Sequence, residues 1–159
     1  MSLKLVLANS VICFSAIAVV NLAFSQDRPS DTEILNEIMN NVSEGYVVCA
    51  AYYAMVASAV EDSGDEATAN SYKQVYENTI VLAVTTAQSG RSEEMAMKVT
   101  TARLNIHLDD MESEIENDYS NMSLLMVKHL KRCEWVVNHT DAFFQEWQDK
   151  IFSRYATEE

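Results

Sequence analysis

Apolar residues recur along most of this chain at alternating steps of three and four, the spacing that lines one side of an α-helix. From Leu35 the series runs through Met39, Val42, Tyr46, Cys49, Tyr53, Val56 and Val60 without a miss. Pro29-Ser30-Asp31 precedes it as a start signal, with Ser30 or Asp31 as N-cap and acids at Glu33 and Glu37 in the opening turns. Gly64 follows as the residue just past a helix end. The pattern predicts helix 1 over 32–62. Gly45 lies in its interior at a cost of about 1 kcal/mol relative to Ala, and reads as a place for a close helix approach or a slight bend.

A less apolar stripe (Tyr72, Val75, Tyr76, Thr79, Leu82, Ala83) predicts helix 2 over 66–88, closed by Gly90. Ser92 caps helix 3, with Glu93 and Glu94 in its first turn. Its stripe is Met97, Thr101, Leu104, Leu108, Met111 and Ile115, and it ends near Asn117 in the polar cluster 117–121. Ser120 caps helix 4, which carries Met126, Leu130, Cys133, Val137, Thr140, Phe144, Trp147 and Ile151. One helix from Glu93 to Ile151 would far exceed the usual length, so the polar cluster is read as a turn. Four amphipathic helices with short connections predict an all-α, antiparallel up-down four-helix bundle.

The first 25 residues read as an address. Met1–Lys4 carries one positive charge, 5–20 is mostly apolar, and Ala23-Phe24-Ser25 is a small-x-small cleavage site. The alternative is a retained membrane anchor. Asn9, Ser10, Ser15 and Asn21 interrupt the apolar stretch and no basic stop-transfer cluster follows, which favours cleavage and no stable membrane insertion afterwards. The expected organisation is a signal peptide over 1–25 and a single helical domain over 26–159, in a periplasmic or secreted protein.

Export changes the meaning of the cysteines. Cys13 leaves with the signal, and Cys49 and Cys133 remain, one on the stripe of helix 1 and one on that of helix 4. An exported pair usually oxidises, so a disulfide stapling helices 1 and 4 is expected. With Cys49 opposite Cys133, the numbers of facing residues add to 182, which sets Thr32 against Lys150 and Asp62 against Ser120. The independently capped helices then match end to end.

Charge narrows the partners. The chain has 24 Asp+Glu against 11 Lys+Arg, a formal net charge of −13, or −14 once residues 1–25 are removed. A nucleic-acid binder needs a basic face, so that class is excluded. Hydrophobic content of 48% excludes a disordered acidic chain, and three Gly and one Pro leave too few turn residues for a β-sandwich or a Gly-rich phosphate loop. The acids concentrate in one run: Asp109, Asp110, Glu112, Glu114, Glu116 and Asp118. They read as a docking surface for a protein partner of basic character or a weak Ca²⁺ site, or as a solvated face partly neutralised by Lys128, Lys131 and Arg132 lying beside 107–111. An EF-hand calcium loop is excluded for want of its central Gly.

Two cofactor constellations stand beside this reading. Met122, Met126, His129 and Cys133 follow at steps of four, three and four, and thioether, imidazole and thiolate suit Cu(I). Met126 and Cys133 also fit the core stripe, and a disulfide would remove the thiolate. The same register sets Met39 opposite residue 143, near His139; a Met and a His between helices is how four-helix b-type cytochromes hold haem, and the architecture resembles theirs in outline. Covalent haem attachment, Glu-x-x-His di-metal pairs and a nucleophile elbow are all missing from the sequence. The sequence therefore predicts an exported non-enzymatic protein without cofactor, of binding or inhibitor type; the alternative is a metal- or haem-binding periplasmic bundle. Tyr46, Tyr52, Tyr53, Tyr72 and Tyr76 read as core residues, or as the lining of a groove made roomy by Ala50, Ala51, Ala54 and Ala57.

Overall fold

The computed structural model describes residues 29–156, which form five α-helices and one 3-10 turn, with no strand among the described residues. α1 spans Asp31–Asp62, α2 Glu66–Ala87 and α3 Glu93–Glu114. The 3-10 turn is Tyr119–Asn121, followed by α4 over Ser123–Asn138 and α5 over Thr140–Ala156. The first three helices match the sequence pattern closely; the expected fourth is two helices. Residues 1–25, read as a signal peptide, lie outside the described residues.

Local chemistry sets the helix ends. Ser30 and Glu33 form a capping box: the Glu33 N–H donates to Ser30 Oγ at 3.3 Å and the Ser30 N–H to Glu33 Oε2 at 2.8 Å. Asp65 caps α2 by accepting from the Thr68 N–H, and Ser92 caps α3 by accepting from the Met95 N–H. α1 ends in a Schellman motif, in which the Asp65 N–H donates to the Val60 carbonyl and the Gly64 N–H to the Glu61 carbonyl. Gly64 supplies the left-handed residue this needs, at φ 87°.

The end of α3 repeats that motif without a glycine. The Asn117 N–H donates to the Glu112 carbonyl and the Glu116 N–H to the Ser113 carbonyl, with Glu116 at φ 56° and Asn117 at φ 57°. α3 thus closes at Glu114, three residues before the expected end. Asp118 caps the 3-10 turn by accepting from the Ser120 N–H at 2.9 Å. Ser120 is not the cap of the following helix: α4 starts after Met122, with no side-chain cap.

α1 is the centre of the molecule and packs against all four other helices, most extensively against α2. A helix flanked on every side needs no solvent face over its middle, and Ala50, Ala51, Tyr52 and Tyr53 are four consecutive buried residues. The single stripe read from the sequence understates this. Ile34 and Ile38 are buried where Leu35 and Met39 were expected, and Leu35 is 47% exposed. Ser43 is buried as well, and its hydroxyl donates across to the Ala83 carbonyl of α2 at 2.9 Å, which satisfies the polar atom at the contact.

Cys49 and Cys133 form the disulfide between α1 and α4, with Cα atoms 5.2 Å apart. Beside it Tyr52 faces His129, one residue from the Leu130 that the expected register sets opposite it. Further along, the register moves: Gly45 and Tyr46 meet Phe143, and Glu37 meets Arg154 and Tyr155. The expected facing of Thr32 and Lys150 therefore shifts, with Arg154 and Tyr155 already reaching Glu37.

The cause is the break at His139, which adopts φ −134°, ψ 54°. Asn138 donates its amide to the Glu134 carbonyl, and His139 presents both its backbone N–H and Nδ1 to the Trp135 carbonyl. Facing a carbonyl, Nδ1 carries the proton. These side chains add bonds to the last carbonyls of α4, and the non-helical backbone of His139 ends the helix there. The His139 carbonyl then accepts from the Phe143 N–H to start α5. Arg132 clamps the two pieces: its guanidinium makes two hydrogen bonds to Glu146 at 2.8 and 2.9 Å and lies 4.7 Å from the Trp135 ring centroid.

The inner faces of α3, α4 and α5 differ from the sequence stripe by one position over much of their length. On α3, Ala96 and Thr100 are buried while Met97 is 53% exposed. On α4 and α5 the fully buried series is Leu125, Cys133, Val136, Phe143 and Ile151, with Leu130, Val137, Phe144 and Trp147 on its flank.

Candidate functional site

The six acids of the run 109–118 separate into two groups. Glu114 pairs with Lys128 of α4, and Asp118 caps the 3-10 turn, whose N–H hydrogen bond holds its carboxyl below the usual range. Asp109, Asp110, Glu112 and Glu116 are exposed and make no ion pair among the described residues. The basic cluster expected beside them is dispersed. Lys128 reaches Glu114, Arg132 turns to Glu146 on α5, and Lys131 is exposed without an ion pair among the described residues. The end of α3 is thus a surface of uncompensated negative charge. It sits where the helix dipole is also negative, so its charge raises the energy of the fold locally.

The soft-donor constellation does not share one side of α4. Met122 is buried and His129 is half-buried toward α1, whereas Met126 is 44% exposed; Cys133 is held in the disulfide. Among the described residues no three His, Cys, Asp or Glu side chains gather as a metal-binding group. The haem pairing also changes geometry. Phe143 lies against Gly45 rather than Met39, and His139 is exposed at the helix break, stacked on Trp135.

Two polar contacts made with α1 were not legible in the sequence. Glu44 accepts from His107 Nε2 at 2.6 Å and pairs with Arg103 Nε at 3.3 Å, joining α1 to α3 at a half-buried seam. Asn40, one turn before Glu44, and Thr100 and Arg103 of α3 each bury a polar atom without a hydrogen-bond partner among the described residues. A heptad reading places Glu44 outside the stripe and gives no signal for either pair.

The second feature is His129. Its ring lies 5.9 Å from that of Tyr52, and its Nε2 is buried without a hydrogen-bond partner among the described residues. Burial, with Lys128 alongside, holds its pKa below the ordinary histidine value. Tyr52 itself is 1% exposed, and burial pushes its hydroxyl up to about 12.

The tyrosines are core residues. Tyr46, Tyr52 and Tyr53 are buried, and Tyr53 stacks on Tyr72 at 6.3 Å. Ala50, Ala51 and Ala57 are buried too and Ala54 is half-buried, so these small side chains serve packing. An open depression of about 430 Å³ lies on the outer side of α2, among Asn70, Ser71, Lys73, Gln74 and Glu77. No helix among the described residues is long and apolar enough to cross a membrane. Comparison of the chain with family models, with curated proteins and with solved structures returned no match.

Proposed function

We propose that this chain is a small exported, non-enzymatic binding protein that engages a basic protein partner through the acidic end of α3. The observation that carries this reading is the exposed set Asp109, Asp110, Glu112 and Glu116, none of which is paired among the described residues. Charge that opposes the helix dipole does not serve the fold, and a concentrated field of one sign steers an oppositely charged partner. The Cys49–Cys133 disulfide supports a periplasmic or secreted setting, where such bonds persist. The scaffold is read as an up-down bundle of four rods, the fourth broken at His139. Met111 and Ile115 anchor the acidic end in the core, and its exposed acids take no part in that packing.

The test is affinity capture from the native envelope or secreted fraction, with the wild type beside a variant carrying D109N, D110N, E112Q and E116Q. A basic protein recovered by the wild type should be lost with the variant and on raising salt, since exposed charges are screened over about 10 Å at 0.1 M. Equal recovery by both proteins overturns the assignment. Recovery of no partner, together with stoichiometric metal in the purified protein, would favour the metal-carrying alternative.

A further inference from the structure

The groups around His129 come from three helices. From α1, Tyr52 faces the imidazole; from α3, Glu114 and His107 act on it at longer range; on α4 itself, Lys128 is its neighbour. Glu114 is engaged by Lys128 and His107 by Glu44, and neither bonds the imidazole. The buried Nε2 has no acceptor among the described residues, so a proton added there would have no hydrogen-bond partner. A buried charge without a partner is disfavoured and drives the group toward water.

His129 stands one helical turn before Cys133. α4 buries Leu125, Cys133 and Val136, and its contact with α1 is much smaller than the one α2 makes. It touches α3 and α5 only slightly, and no side chain caps its start. Of the four helices packed on α1 it makes the smallest contact with it, so a charge on the imidazole has little packing to overcome there, and the disulfide keeps the helix attached when it moves.

We infer that α4 is an acid-released arm: protonation of His129 lifts α4 off α1 and uncovers Tyr52, while the Cys49–Cys133 bond tethers the released segment. A neutral histidine in the fold and a chargeable one in the opened form set the direction. The closed form is fully favoured above the ordinary histidine pKa and weakens as pH falls below it.

Hydrogen exchange resolved by segment, on the oxidised protein and corrected for the intrinsic effect of pH, tests this. Exchange of 123–138 should rise severalfold from neutral to mildly acidic pH while the middle of α1 and α2 stays protected. H129F and H129Q should both abolish the rise, and H107Q should leave it in place. An NMR titration of His129 in the wild type supplies a reading that needs no variant: its midpoint must lie below that of a histidine in the unfolded chain. Acid-independent protection of α4, a rise that persists in H129Q, or an unperturbed titration of His129 would each overturn the inference.

Discussion

Gly45 and Phe143 meet so closely that a Cβ on Gly45 would lie 2.3 Å from the ring's Cζ. The ring cannot yield easily. It is 1% exposed, edge-on to Tyr46 at 5.4 Å and to Trp135 at 6.2 Å, with the Arg132 guanidinium 5.2 Å from its centre. A glycine inside a helix costs about 1 kcal/mol against Ala, and here that cost secures the seat of the largest buried side chain of α5. Gly45→Ala should therefore destabilise despite its better propensity, with overpacking of about 1–3 kcal/mol outweighing the gain. Urea unfolding midpoints check it. Adding Phe143→Leu should recover part of the loss, because the two sites share one contact.

The disulfide closes a loop of 84 residues between two helices that the core already apposes. Replacing Cys49 and Cys133 together by Ser should cost about 4 kcal/mol on the chain-entropy account. Part of any excess would come from burying two hydroxyls, since both cysteines are now buried. Both cysteines should resist alkylation until a reductant and a denaturant are supplied together, as read by intact mass. Alkylation of either in the untreated folded protein would remove the staple.

Glu116 occupies the left-handed position of a Schellman motif, which L side chains other than Asn and Asp adopt at a cost of about 1–2 kcal/mol. Gly64 fills the corresponding position at the end of α1. Glu116→Gly should thus stabilise the protein by about 1 kcal/mol, and Glu116→Val should destabilise it. Thermal unfolding distinguishes the two. The glycine variant also removes one acid from the proposed docking surface, so a gain in stability accompanied by weaker capture of a basic partner would show the two demands in opposition at one residue.

What the sequence reveals and conceals here follows from how local each determinant is. The boundaries at Ser30, Gly64 and Ser92 were legible because a cap is decided by a few neighbouring atoms. The break at His139 was not, since the chain leaves the helical conformation at Asn138–His139 amid side-chain hydrogen bonds to the last carbonyls of α4, with no Gly or Pro to announce it. The inner face of α4 was misjudged for a related reason. The rows 125, 129, 133, 136 and 126, 130, 133, 137 are adjacent on the helix, and the histidine made the true row look the more polar. The acidic run was visible as composition. Which of its members remain unpaired depends on the reach of Lys128 and on the turn at Asp118, neither of which periodicity describes.

Tyr52 makes stability at high pH a readout of core packing. Burial is the main reason its hydroxyl is pushed up to about 12 from 10.0, with Tyr72, Tyr53 and Glu134 adding to it through their charge. Tyr46 and Tyr53 are raised in the same sense, again chiefly by burial. A group whose folded pKa is raised contributes stability that is complete below its unfolded value and is lost as pH climbs through the folded one. Unfolding free energy should therefore hold up to about pH 10 and fall between there and about pH 12, with tyrosinate absorbance appearing in step with unfolding rather than before it. Tyr52→Phe should flatten the fall, because a ring of nearly the same shape without an ionisable hydroxyl leaves the unfolded chain less to gain from ionisation. If the variant loses stability over that range as steeply as the wild type, the alkaline sensitivity resides elsewhere and Tyr52 is not the group that links it to the α1–α4 contact.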